Sequence, residues 1–166
     1  KEYRRQRQMC IRDRFLHYHL CYLPSFVKDK LNPFHLAIPV SDLDESITFY
    51  KDILQLEPGR CSDKWADFNF FGHQLVCHVS NNLSGQITNP VDGEEVPVPH
   101  FGIVLSLEEF KEFESKIHDK NLDFIIKPTV RFEGEIGEQR TMFFKDPSGN
   151  AIEVKGFKDT DNLFKS

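Results

Sequence analysis

The chain has 166 residues, 39% hydrophobic and 28% charged, with a formal net charge of −5. That length suits one ordinary domain or two small related halves around a buried core. The acidic balance argues against a dedicated nucleic-acid binder, which carries a basic domain. No run of about eighteen apolar residues occurs, so the sequence offers no membrane-spanning helix. Sixteen Phe beside one Trp and four Tyr point to a dense aromatic core or an apolar cavity.

Charge divides the chain unevenly. Residues 1–32 hold eight Lys or Arg against Glu2, Asp13 and Asp29, a net +5, which leaves −10 for the remainder. The stretch Phe15–Leu23 lacks the clean apolar run and small-residue cleavage site of a signal peptide. The string Arg7-Gln8-Met9-Cys10-Ile11-Arg12-Asp13-Arg14 resembles a translated sequencing-adapter tag, and residues 1–31 are expected to lie outside the native fold. His17, His19 and Cys21 alternate as on a strand, but no fourth ligand follows at structural-zinc spacing. Cys10, Cys21, Cys61 and Cys77 form no CxxC pair and read as free thiols in a reducing compartment, hence a cytoplasmic expectation.

From Asn32 the pattern becomes regular. Phe34–Val40 reads as a strand with Phe34, Leu36 and Ile38 on one face and His35, Ala37 and Pro39 on the other. Asp42 and Glu45 make a capping box opening a helix with Leu43, Ile47, Tyr50 and Leu54 inward. Pro58-Gly59 reads as the turn that ends this unit. Strands are expected at Trp65–Phe71 and Gln74–Val79. Residues 81–97, rich in Gly, Pro, Asn and Glu, read as a linker.

The order recurs about sixty-five residues on. Pro99–Leu105 is a strand with His100 in the place of His35. Ser106 and Glu109 cap a helix with Leu107, Phe110, Phe113 and Ile117 inward. Strands follow at Asp123–Ile126, Thr129–Phe132 and Thr141–Lys145, then the turn Asp146–Asn150 and a last strand, Ala151–Phe157. The chain is therefore a repeat of strand, helix and several strands, with modules at 32–80 and 98–158 and a tail at 159–166. Each helix covers one sheet face. Two copies meeting by their other faces would enclose a cavity.

His35, His100 and Glu153 occupy matching strand positions, on the face opposite the helix-packing residues. A lone His there is more often a hydrogen-bonded core residue. Two imidazoles and a carboxylate at equivalent places in a repeat are instead the donor set for Fe, Mn, Ni or Zn with positions left open for substrate.

Phe34–Asp42, the helix through Phe49-Tyr50, and Phe144-Lys145-Asp146-Pro147-Ser148-Gly149-Asn150-Ala151-Ile152-Glu153 resemble the vicinal oxygen chelate superfamily. That group holds glyoxalase I, extradiol dioxygenases, fosfomycin-resistance enzymes and bleomycin-resistance proteins. The resemblance spans residues 32–158. It implies an α+β fold of two paired βαβββ modules, a curved sheet around a metal-binding cavity, and a divalent cation on His35, His100 and Glu153. Glyoxalase I-like members place a second carboxylate in the first module. Aligning Gly72 with Gly149 puts Val76 there, which counts against glyoxalase I, while Gln74 and His78 flank it on the same face. His78 is the candidate base, and Arg131, beside the Gly134–Gly137 loop, the candidate clamp for an anionic group. The implied function is a metal-dependent dioxygenase, lyase or isomerase acting on a small oxygen-bearing substrate. Sequestration of a small molecule and thiol transfer are the competing readings. The modules pair either within one chain or between the chains of a homodimer. Neither nucleic acid nor a membrane is an expected partner.

Overall fold

The structure, a computed structural model, describes residues 31–164 apart from 84 and 86. The expectations for the basic leader, His17, His19, Cys10 and Cys21 included, lie outside the described residues. No helix among the described residues is long and apolar enough to cross a membrane.

The first module runs β1 (His35–Val40), α1 (Leu43–Ile47), β2 (Glu57–Cys61), β3 (Trp65–Phe70) and β4 (His73–Val79). A hairpin of β5 (Ile87–Val91) and β6 (Glu94–Val98) follows. The second module runs β7 (Phe101–Ser106), α2 (Leu107–Ile117), β8 (Asp123–Arg131), β9 (Gln139–Lys145) and β10 (Ala151–Phe157). The two sheets have the same topology, β1-β4-β3-β2 and β7-β10-β9-β8. In each, the first strand lies parallel to the last, which requires the helix as crossover. The repeat read from the sequence is therefore a structural repeat.

Both helices start where their caps predict. Asp42 Oδ1 accepts from the Glu45 amide at 2.9 Å. At α2 the box is reciprocal: Glu109 N donates to Ser106 Oγ at 3.2 Å and Ser106 N to Glu109 Oε2 at 2.8 Å. Such a cap contributes about 1 kcal/mol. After Ile47 the first helix widens into a π-helical segment, Thr48–Ile53, with Leu54 N bonding back to Phe49 O at 2.9 Å. The widened turn lets two consecutive aromatics, Phe49 and Tyr50, both reach the core, where their rings meet edge to face at 5.1 Å.

Three expectations are corrected. Pro58-Gly59 is not a terminating turn but part of β2, an exposed edge strand, the place in a sheet that tolerates proline. Gly59 is needed there because a Cβ would collide with the Asp67 carboxylate. Residues 81–97 are not all linker: Asp92-Gly93, both at positive φ (52° and 78°), make the two-residue turn of the β5–β6 hairpin. The Pro and Asn content obscured that signal. Finally, the two strands expected around Lys127-Pro128 are the single edge strand β8, whose register shifts on either side of Ile126.

Alternation assigns the sheet faces. Ile38, Val40, Phe68, Leu75 and Cys77 of the first module share one hydrophobic cluster with Phe110, Met142, Phe144, Ile152 and Val154 of the second. Rings cross the seam: Phe49 to Phe144 at 6.4 Å, Phe70 to Phe101 at 5.6 Å and Phe71 to Phe113 at 6.0 Å. Within one chain, then, it is the helix-bearing faces that share a core, and eight of the sixteen phenylalanines lie in it or pack against it. The outer face of each sheet is the one that carries the candidate site residues. On the second sheet Val96 of the hairpin packs there against Ile126 and Phe143.

Candidate metal centre

In β10, Ile152 and Val154 point to the core, so Glu153 and Lys155 face outward. Glu153 lies opposite Gly102 of β7. Glycine is required at 102, because a Cβ would run into the backbone of Glu153. His100 immediately precedes β7, and its Nε2 lies 3.2 Å from Glu153 Oε2. Lys155 Nζ approaches the same oxygen at 3.2 Å. Thr141 Oγ1 donates to the other oxygen, Oε1, at 2.9 Å. Glu153 is only 6% exposed.

The His100 ring is held from behind. Its Nδ1 sits 2.7 Å from the Pro97 carbonyl, which only accepts, so Nδ1 carries a hydrogen and Nε2 is the atom presented to Glu153. The hydrogen bond to Glu153 holds the imidazole pKa above its ordinary value, against the opposing effect of burial. Burial pushes the Glu153 carboxyl up, but His100, Lys155 and Thr141 together outweigh it and hold the group below its ordinary value.

This donor set fits a divalent cation. Imidazole nitrogen and carboxylate oxygen bound to one cation at about 2.0–2.2 Å sit about 3.0–3.5 Å apart, and the pair already stands at 3.2 Å. The Pro97 carbonyl behind the imidazole and Thr141 behind the carboxylate are the supports that orient metal ligands. A half-open cavity of about 180 Å³ adjoins His100, lined by Leu36, Pro39, Phe101 and Asn150 among others.

His35 is not brought to this pair. It lies exposed on β1, opposite Gln74, and among the described residues no group of three or more His, Cys, Asp or Glu converges. His35 Nδ1 lies 2.8 Å from Gln74 Oε1, and Gln74 Nε2 donates to Asp67 Oδ2 at 2.9 Å. Val76 is buried on the same face of β4. His78 is exposed four residues along β4 from Gln74, about 13 Å at strand rise. Arg131 is buried at 5% exposure. It donates to the Val91 carbonyl at 2.5 Å, lies 3.6 Å from Asp92 and covers the Phe132 ring at 5.2 Å. Arg131 therefore fastens the hairpin to β8. Arg140 is paired with Glu114 at 3.2 Å and stacked on Phe110 of α2.

The Glyoxalase/Bleomycin resistance protein/Dioxygenase superfamily matches this chain over residues 32–154. The chain belongs to that superfamily. Among curated relatives, the metallothiol transferase FosB of Staphylococcus saprophyticus is 28% identical over 120 residues, covering 72% of this chain and 73% of the relative. FosB of Bacillus licheniformis is 26% identical over 120 residues, covering 72% and 71%. Among solved structures, a glyoxalase/bleomycin resistance protein/dioxygenase from Alicyclobacillus acidocaldarius superposes with TM-score 0.69 at 34% identity, over 80% of this chain and 96% of that one. FosX from Listeria monocytogenes shares the fold at TM-score 0.60 and 18% identity, over 80% and 98%.

Two residues of this superfamily chain escaped the sequence reading. Asp67 stands at an outward position in Trp65–Phe70, two residues before Asn69 at the same parity. Thr141 stands at an outward position in β9. Outward strand parity was the available signal in both cases; it gives the face of the sheet but not the partner.

Proposed function

We propose that this chain is a divalent-metal-dependent enzyme acting on a small oxygen-bearing substrate, with the cation held by His100 and Glu153 of one chain and His35 of a second copy. The observation that carries the reading is the His100–Glu153 pair, poised at 3.2 Å with each member backed by its own hydrogen bond. The second copy follows from the core. Because the helix-bearing faces share it within one chain, the outer faces carrying His35 and the pair are free to meet those of another chain.

A bound cation would supply Lewis acidity toward two neighbouring substrate oxygens. The chain's own residues do the rest. Pro97 fixes the His100 ring, Thr141 reserves Oε1 so that Oε2 is the ligating oxygen, and Lys155 places an ammonium beside the site, suited to an anionic substrate group. Dioxygenase, lyase or isomerase and thiol-transfer chemistry all use such a donor set. Thiol transfer is favoured because curated relatives carry the name metallothiol transferase. Arg131 and Arg140 are engaged away from the centre, whereas Lys155, at 3.2 Å from Glu153 Oε2, stands beside it as the candidate cation for an anionic substrate. A sequestering protein would need no such donor pair.

Elemental analysis of the purified protein, its His100→Ala variant and its Glu153→Gln variant tests the centre. Loss of bound metal in both variants is expected, and unchanged content in both would sink the assignment. Thiol consumption with a small epoxide-bearing phosphonate, run beside oxygen uptake with catechols, separates the reaction classes.

A further inference from the structure

We infer that Gln74, itself held by Asp67, is a positioning residue that locks His35 in the tautomer with its hydrogen on Nδ1 and its lone pair on Nε2. The inference rests on the reading of His35 as a metal ligand and assigns the device that prepares it. Gln74, which flanks Val76 on this face, has both ends of its amide engaged, by His35 and by Asp67.

The relay of contacts starts at Asp67. A carboxylate only accepts hydrogen bonds, so the Gln74 group 2.9 Å from Asp67 Oδ2 must be its NH2. The amide oxygen is thereby turned toward His35, 2.8 Å from Nδ1. That oxygen also only accepts, so Nδ1 must donate, and Nε2 of the neutral ring is left as the base. The anchor is rigid. Asp67 is 6% exposed, Arg60 lies 3.6 Å from it while covering the Trp65 ring at 5.9 Å, and its other oxygen abuts Gly59 and has no partner. Among the described residues the Gln74 amide gives these oxygens their one hydrogen bond, and rotation of the carboxylate would cost it.

The repeat supplies an independent check. In the first sheet His35 pairs with Gln74. The second sheet has the same register, with Phe101 opposite Ile152, so His100 stands level with Ala151, which has nothing to accept a hydrogen bond. There the Pro97 carbonyl does so instead, 2.7 Å from His100 Nδ1. The two modules put an acceptor behind Nδ1 by different means. A neutral histidine free in water favours the opposite tautomer, and which nitrogen is protonated is set by the bond the other makes. At His35 this leaves Nε2 with the lone pair; at His100 the Glu153 carboxylate also accepts, so Nε2 carries a hydrogen that a bound cation would displace.

The test is nitrogen-15 NMR of the histidine rings in the metal-free full chain, above the imidazole titration, with His35 assigned through His35→Ala. The wild type is expected to show His35 protonated at Nδ1, and Gln74→Met to move it toward Nε2–H. In calorimetric titration with Mn²⁺, Gln74→Met should bind about 10–100-fold more weakly, the usual cost of losing such a support. Asp67→Asn, nearly isosteric, lets the Gln74 amide turn over and should shift the tautomer with a smaller loss. An Nε2–H ring in the wild type, or a tautomer indifferent to Gln74→Met, overturns the lock. If His35 is Nδ1-protonated but His35→Ala binds Mn²⁺ like the wild type, the ligand reading fails while the hydrogen-bond relay stands.

Discussion

The Tyr50 hydroxyl, fully buried in the first module, donates to Asp146 Oδ2 of the second at 2.8 Å. Asp146 also takes the amides of Ser148 and Asn150 on Oδ1 at 2.9 and 2.8 Å, and the Asn150 side chain on Oδ2 at 2.8 Å. Asn150 reaches on to the Pro39 carbonyl at 2.9 Å, and Ser148 Oγ accepts from Ser41 N at 3.0 Å. The Asp-Pro-Ser-Gly-Asn turn is therefore more than a strand connection. It clasps the end of β1 and the first helix, and so sets where β10, and Glu153 on it, sits against the first module.

Removing that hydroxyl should weaken the seam. A hydrogen bond to a charged group contributes about 1.5–3 kcal/mol; Asn150 still serves Oδ2, so Tyr50→Phe should cost near the lower end, read from urea unfolding. Burial first, then the Asp146 charge, holds the Tyr50 phenol well above its ordinary value. A raised pKa means a contribution fully present below the unfolded-state value of about 10 and lost as pH climbs past it. Wild-type stability should fall above pH 10 more steeply than that of Tyr50→Phe. Parallel curves would count against the buried donor.

The two described thiols should react very differently. Burial pushes Cys77 up to about 12, and its side chain lies in the shared core, whereas Cys61 is exposed on β2. A thiol reacts as thiolate and only where reagent can reach it. Iodoacetamide at pH 8 should label Cys61 within minutes and leave Cys77 unmodified until the protein unfolds, as peptide mapping by mass spectrometry would show. Equal labelling of the two in native protein would contradict the core.

How much was legible follows from which physics decided each feature. Strand alternation and the Ser106–Glu109 box are local, so β1, β7, β10 and α2 could be read directly. The parity that turned Glu153 outward held for the same reason. The π-helical widening after Ile47 was not legible, because it is tertiary packing of Phe49 and Tyr50 together that favours it over the 3.6-residue period. The hairpin was hidden by Pro90 and Pro97, which composition reads as linker and which a two-stranded, exposed ribbon tolerates. Asp67 was invisible as a support because its meaning depends on lying across from Gln74, a cross-strand relation no single segment displays. Arg131 had the right charge for a clamp; only the hairpin folding over it showed what it holds.

Arg131 therefore makes a structural prediction. Its guanidinium is buried and bonded to the Val91 carbonyl, and truncation would leave that acceptor and Asp92 without it. Arg131→Ala should release the hairpin locally. Hydrogen exchange should accelerate across residues 87–98 while β3 and β4 keep their protection. Mn²⁺ affinity should fall together with that protection, because Pro97, whose carbonyl holds His100 Nδ1, lies in the hairpin. A loss of metal binding with the hairpin intact would restore Arg131 to the site.

Pairing of outer faces between two copies makes the sharpest prediction. In a two-fold dimer each centre would draw His35 from one chain and His100 with Glu153 from the other. His35→Ala and Glu153→Gln should each weaken metal binding on their own. When the two variants are co-expressed, or unfolded together and refolded, mixed dimers form. One of their two centres then carries both lesions and the other carries none. Random pairing makes half the dimers mixed, so about a quarter of all centres should regain wild-type Mn²⁺ affinity. Complementation within single chains is impossible, because neither variant chain holds the full donor set. A mixture that binds no better than its separate variants would place all three ligands in one chain, or show that His35 takes no part.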